Sequence, residues 1–152
     1  MARVIPLLLL TTFVPALGFA DRSQPVSLDL RQHGVGGYYL QGVFGGSVHS
    51  ELLVDTGSSY VVLSGKTFQR LEREGVTAYK RTINGSTAAG RVVKARVFSI
   101  ASLELGEGCV LRDIEAVALP NADRDILGLS ALRRLQSFSL QFEPAALTFS
   151  NC

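Results

Sequence analysis

The chain is short of the residue types from which most enzyme chemistries are built. It has no tryptophan, one methionine, two histidines and two cysteines in 152 residues. His33 and His49 stand sixteen positions apart among scattered acids. That is no ligand cluster, so no metal site is expected and both histidines read as surface or strand-edge residues. A serine hydrolase fails on spacing. Gly128-Leu129-Ser130-Ala131-Leu132 carries half of a nucleophile elbow, with Leu132 where the second glycine is needed. Cys109 has no signature of a catalytic cysteine around it. Gly34-Val35-Gly36-Gly37 lacks both the G-x-G-x-x-G spacing and a following lysine, which excludes a phosphate loop. The net charge is +2, and the lysines and arginines are dispersed with no basic block, so nothing suggests a nucleic-acid binder and none is expected as partner. No cofactor is expected.

What is present begins with a leader. Arg3 supplies a short positive region, and Val4 to Ala20 carry no charge. Gly18-Phe19-Ala20 offers small residues at the positions a signal peptidase reads, and Pro6 and Pro15 oppose a regular spanning helix. Residues 1–20 therefore read as a signal peptide. An uncleaved N-terminal anchor is the alternative, and contact with a membrane is expected only in that case. Either way the body of the protein is expected outside the cytoplasm, periplasmic or secreted. Residues 21–36 read as a linker and residues 37–152 as one domain. In an oxidising compartment Cys109 and Cys152 form a candidate disulfide. Closing a loop of about 43 residues would contribute roughly 4 kcal/mol by chain entropy.

The body has all-β texture, short apolar runs broken by glycines. Tyr38–Phe44 reads as a strand, Gly45-Gly46 as a two-residue turn, and Val48–Val54 as the return strand. Tyr60–Ser64 is another strand. A helix is expected over 67–74, with Ser64 as cap, Gly75 as stop, and Phe68 and Leu71 on its buried stripe. Asn84-Gly85 is a hairpin-turn dipeptide, and Gly90 adds a second pivot. Strands are expected over 91–100, 102–105 and 109–119, with a loop over 120–125. Ile126-Leu127-Gly128 is an apolar stub running into a helix over 130–135, and a hairpin about Pro144 closes the chain.

One stretch fits this pattern badly. Leu52-Leu53-Val54 runs straight into Asp55-Thr56-Gly57-Ser58-Ser59, although aspartate and glycine are depleted in strands. An aspartate held in a tight glycine turn at the end of an apolar strand is rigid and partly desolvated, which suits an acid/base catalyst. About seventy residues downstream comes Ile126-Leu127-Gly128, with the glycine-dotted stretch between them.

This order resembles the aspartic proteases, specifically the single-domain retropepsin-like branch and its bacterial exported members, over about Tyr38 to Phe149. The resemblance implies an all-β fold, a closed β-barrel with a flap hairpin and one or two short helices. It implies that Asp55 is the catalytic carboxylate and that Thr56 braces the turn against a partner chain. Gly57 would donate its amide to the carboxylate, and Ser58 would hydrogen-bond the outer oxygen of Asp55. Ile126, Leu127 and Gly128 would wall the turn from behind, and Asn84, Gly85, Ser86 and Gly90 would belong to a flap over a peptide or protein substrate.

Hydrolysis of an amide by water needs one group to take a proton and another to polarise the carbonyl. Two carboxylates about 3 Å apart do this by sharing a proton, because at an effective dielectric near 20 they repel by roughly 5 kcal/mol when both are charged. The chain contains one Asp-Thr-Gly; Asp113, Asp123 and Asp125 lack the following residues. The second aspartate is therefore expected from a second copy, with the site on a two-fold axis. The competing readings are a non-catalytic peptide-binding module on the same fold, and an unrelated secreted β-barrel in which the tripeptide is coincidental.

Overall fold

The computed structural model describes residues 25–34, 36–86 and 90–152. The expected leader over 1–20 lies outside them. The segment expected as a linker contributes two short strands, β1 (Val26–Asp29) and β2 (Arg31–His33). Val26 and Leu28 alternate with exposed Ser27 and Asp29, a period of two that gives β1 one face to bury.

β3 (Gly37–Phe44) and β4 (Val48–Val54) pair antiparallel from Phe44↔Val48 to Tyr39↔Leu53. Their turn takes three residues, not two: Gly45 and Gly46 have φ of +58° and +78°, and Ser47 N donates to Phe44 O. β5 (Val61–Ser64) runs directly into α1 (Gly65–Arg73), which starts two residues earlier than expected. Ser64 Oγ accepts from Thr67 N at the cap, Phe68 and Leu71 are buried, and Arg70 and Arg73 occupy the last turn, where the helix dipole favours cations.

β6 (Thr77–Ser86) and β7 (Val92–Leu105) form a long hairpin paired from Thr77↔Ile100 to Ser86↔Val92, with a register shift between Tyr79 and Arg81. Asn84-Gly85 is not its turn. Both residues are ladder partners, of Lys94 and Val93, and Gly85 does not take the positive φ that a two-residue turn asks of glycine. Ser86 still pairs with Val92, so the hairpin runs past Asn84-Gly85, and Gly90 has φ +73°. β7 is one continuous strand rather than two. β8 (Val110–Leu119), β9 (Asp125–Leu127), α2 (Leu129–Leu132), β10 (Ser139–Phe142) and β11 (Ala145–Phe149) complete the chain. β9 includes Asp125, expected in a loop.

Eight strands make one sheet in the order β2-β3-β4-β9-β5-β8-β7-β6, and an extra β3–β7 pairing bends it into a ring. A second, three-stranded sheet has the order β1-β11-β10. The ring encloses the main core, including Phe44, Leu52, Leu63, Leu71, Ile100, Leu127 and Phe149. The other face of β5, β7 and β8 carries a second apolar layer, with Val62, Ala95, Val97 and Val117 at its centre. Two apolar faces explain why Tyr60–Leu63 reads as an unbroken apolar run, without the alternation of a half-solvated strand.

Cys109 and Cys152 are joined by a disulfide whose two Cα atoms lie 5.8 Å apart. It fastens the last residue of the chain to the start of β8. Cys152→Ser is expected to destabilise the protein by about 2–4 kcal/mol. Differential scanning calorimetry with and without reductant measures this: the wild type loses a comparable amount on reduction, and the variant is insensitive to it.

Candidate active site

The sheet order creates a topological problem at the end of β4. β9 lies between β4 and β5, parallel to the first (Leu53↔Ile126, Val54↔Leu127) and antiparallel to the second (Val62↔Ile126). The chain leaving β4 must therefore cross the end of β9 to reach β5. Residues 55–60 make that crossing. Asp55 N donates to Leu127 O at 3.2 Å, Ser58 N to Asp55 O at 3.3 Å, and Leu129 N to Ser58 O at 2.8 Å. Gly128 sits directly beneath. A Cβ on it would meet Tyr60 O at 2.0 Å and Ser58 O at 2.7 Å, so no side chain fits there.

The turn holds the Asp55 carboxylate at two points. Gly57 N donates to Oδ1 at 2.8 Å, and Ser58 Oγ donates to Oδ2 at 2.8 Å. Asp55 is half-buried, and Thr56 beside it is exposed. Ser130, the residue of the incomplete nucleophile elbow, is committed elsewhere. Its Oγ donates to Glu115 O at 2.7 Å and accepts from Val61 N at 2.8 Å, tying α2 to β8 and β5.

Asp55, Gly57 and Ser58 line a cleft of about 1060 Å³. Its wall is the second apolar layer: Val62, Ile83, Ala95, Val117, Leu119 and Ile126. Asn84, Gly85 and Ser86 reach it from the β6 arm of the hairpin. Of the residues expected behind the turn, Ile126 faces the cleft, while Leu127 is in the main core and Gly128 is buried under the crossing. A smaller depression of about 310 Å³ between β1 and β3 includes none of these residues.

Two ion pairs flank the cleft, neither legible from spacing. Arg81 on β6 grips Glu115 on β8 through Nη1 and Nη2, at 2.6 and 2.8 Å, and reaches the Tyr60 hydroxyl at 3.1 Å. The hydrogen bonds from Arg81 hold the Glu115 carboxyl below the usual carboxylate range, and Glu115 raises the Arg81 guanidinium in return. At the rim, Arg124 binds Asp123 through Nε and Nη2 at 2.9 and 2.7 Å and reaches the Tyr39 hydroxyl at 3.1 Å. Asp123 is likewise held below its ordinary range by the hydrogen bonds from Arg124. His33 lies on β2, 3.0 Å from Glu51, and His49 is exposed on β4. Among the described residues no group of three or more His, Cys, Asp or Glu is placed to hold a metal ion.

Residues 40–134 match the family described as "gag-polyprotein putative aspartyl protease", a span that contains the Asp55 turn, the β6–β7 hairpin and Ile126-Leu127-Gly128. Among solved structures, the crystal structure of a retropepsin-like aspartic protease from Rickettsia conorii is similar, with a TM-score of 0.61 and 22% sequence identity. The likeness covers 84% of this chain and 92% of that one, and it establishes the fold. A comparison with curated proteins returned no match.

Gly128→Ala is expected to cost about 3 kcal/mol or more, since the new methyl meets backbone carbonyls that cannot rotate away; thermal unfolding measures it. Glu115→Gln tests the cleft-side ion pair. A lowered folded-state value means that the pair contributes above the ordinary carboxylate range and stops contributing as pH falls through the folded value. The melting temperature of the variant should lie below wild type near neutrality and converge with it in acid.

Proposed function

The chain belongs to the gag-polyprotein aspartyl protease family, and on that premise we propose that it is an aspartic endopeptidase whose active site is completed by a second copy of itself. The observation that carries this reading is the Asp55 carboxylate, fixed by Gly57 N and Ser58 Oγ on the floor of a cleft with an aliphatic wall. A carboxylate held in this way keeps one lone-pair direction on each oxygen for a water molecule and a partner acid. In the proposed mechanism, one aspartate of a proton-sharing pair takes a proton from water while the other, protonated, polarises the scissile carbonyl.

Among the described residues, neither Asp125 nor Asp123 supplies the second member. Asp125 is buried and pairs with Leu52, three residues before Asp55 and so roughly 10 Å back along the strand. Asp123 lines the cleft, but both its oxygens are taken by Arg124, Oδ1 by Nε and Oδ2 by Nη2. A symmetry-related Asp55 supplies a matching group in a matching environment. Exposed Thr56, next to Asp55, is the residue we assign to bracing one turn against the other. The retained Asp-Thr-Gly favours catalysis over peptide binding alone. The Cys109–Cys152 bridge supports an oxidising compartment, periplasmic or secreted, reached through the leader read at residues 1–20.

Asp55→Asn should lower the hydrolysis of a denatured protein substrate by about 10³-fold or more while leaving the circular dichroism spectrum unchanged. Retained cleavage in that variant overturns the assignment, and binding without cleavage by the wild type favours the peptide-binding module. Specific activity should fall on dilution as dimers dissociate. The pH–rate profile should be bell-shaped on the acid side of neutrality, because the pair must keep one proton.

A further inference from the structure

Asp125 is a buried carboxylate that the proposed mechanism does not use. It is 4% exposed. Its sequence neighbour Arg124 turns away to Asp123 and Tyr39. Burying a charge is costly unless hydrogen bonds replace its lost hydration, and Asp125 accepts three. Ser64 N donates to Oδ1 at 2.7 Å, Thr67 Oγ1 to Oδ2 at 2.5 Å, and Ser50 Oγ also to Oδ2. These donors come from three elements: Ser50 from β4, Ser64 from the end of β5, and Thr67 from the first turn of α1. That turn has no acid of its own, so Asp125 places a negative charge at the helix N-terminus from another strand.

The location gives this cluster its meaning. β4 enters the Asp55 turn and β5 leaves it, and Asp125 ties both to the base of β9. β9 has only three residues, so its own ladder fixes it weakly. At its other end Leu127 O accepts Asp55 N, and Leu129 N reaches Ser58 O. We propose that Asp125 is a positioning residue for the catalytic turn: its side chain sets the register of β9 between β4 and β5, and β9 in turn sets where the Asp55 carboxylate points. The kinetic part of this inference rests on the endopeptidase reading; the structural part does not.

The donor pattern predicts which substitution rescues. Oδ1 faces a backbone N–H and must be an acceptor. Oδ2 faces two hydroxyls, and hydroxyls rotate to accept as readily as they donate. An amide oriented with its oxygen towards Ser64 N preserves all three hydrogen bonds. Asp125→Asn should therefore keep kcat within about 3-fold of wild type. Asp125→Ala should lower kcat by about 10-fold or more with little change in KM, because a small displacement of a reacting group is enough to cost that much.

The test measures kcat per site titrated with a tight-binding aspartic-protease inhibitor, well below each variant's melting temperature, together with the 15N–1H signals of Gly57 and Ser58. A residue that only stabilises the fold changes the melting temperature and leaves both readouts unmoved. The expected result is that Ala shifts the Gly57 and Ser58 signals and lowers kcat, while Asn does neither. Should Asp125→Ala fail to fold, Thr67→Val keeps the shape and removes one donor; smaller changes of the same kind are expected. Wild-type kcat and wild-type turn signals in the Ala or Val variant overturn the proposal, as does an Asn variant that behaves like Ala. A wild type that cleaves nothing overturns the endopeptidase reading alone, since the Gly57 and Ser58 signals still report on the role of Asp125.

Discussion

The constraint on which the rest of the site depends is a crossing. A three-residue strand is inserted between two strands that follow each other in sequence, so the connection between those two must pass over its end. Everything local to Asp55 follows from that passage. The connection must be short and tight, hence the turn closed by Gly57 and Ser58 on the Asp55 side chain. The element underneath must present bare backbone, hence Gly128 beneath the carbonyls of Ser58 and Tyr60. The inserted strand must be held by more than its own ladder, hence the three donors gathered on Asp125. The rigidity of the acid is thus a property of the sheet order, and the turn only expresses it.

Much of this was legible in the sequence because it is written in local chemistry. An acid and a glycine at the end of an apolar strand, and a second apolar stub ending in glycine, are violations of strand propensity that ask for a structural reason. Strand positions such as Val48–Val54 and the α1 cap at Ser64 followed from alternation and capping. The features that were missed are those set by tertiary context. Asp125 looked like the last residue of a polar loop, since nothing in Asp123-Arg124-Asp125 announces which acid turns inward. Asn84-Gly85 had the composition of a turn, yet the long register of β6 with β7 carried the chain past it, and pairing outweighed the local preference. Val26 and Leu28 gave too short an alternation to outweigh the proline and the polar residues beside them.

The polar contacts around the cleft divide by what they fasten. Arg81 links the hairpin arm to Glu115 and to Tyr60, the residue at which the crossing ends. Ser130 links α2 to β5 and β8. Arg124 folds back on Asp123 and Tyr39 at the rim. The arrangement leaves Asp55 as the one cleft-lining carboxylate not engaged by a basic side chain among the described residues.

The second apolar layer has a thermodynamic consequence. Val62, Ala95, Val97 and Val117 are nearly covered, but Ile83, Leu119 and Ile126 at its margin are only half-buried. The outer face of the sheet is therefore a hydrophobic core lacking its last layer. Whatever lies in the cleft supplies that layer and removes hydrated aliphatic surface, as the final stage of folding does. Occupancy then carries a negative heat-capacity change, and its enthalpy becomes more favourable with warming. Calorimetrically, filling the cleft continues the collapse that built the ring.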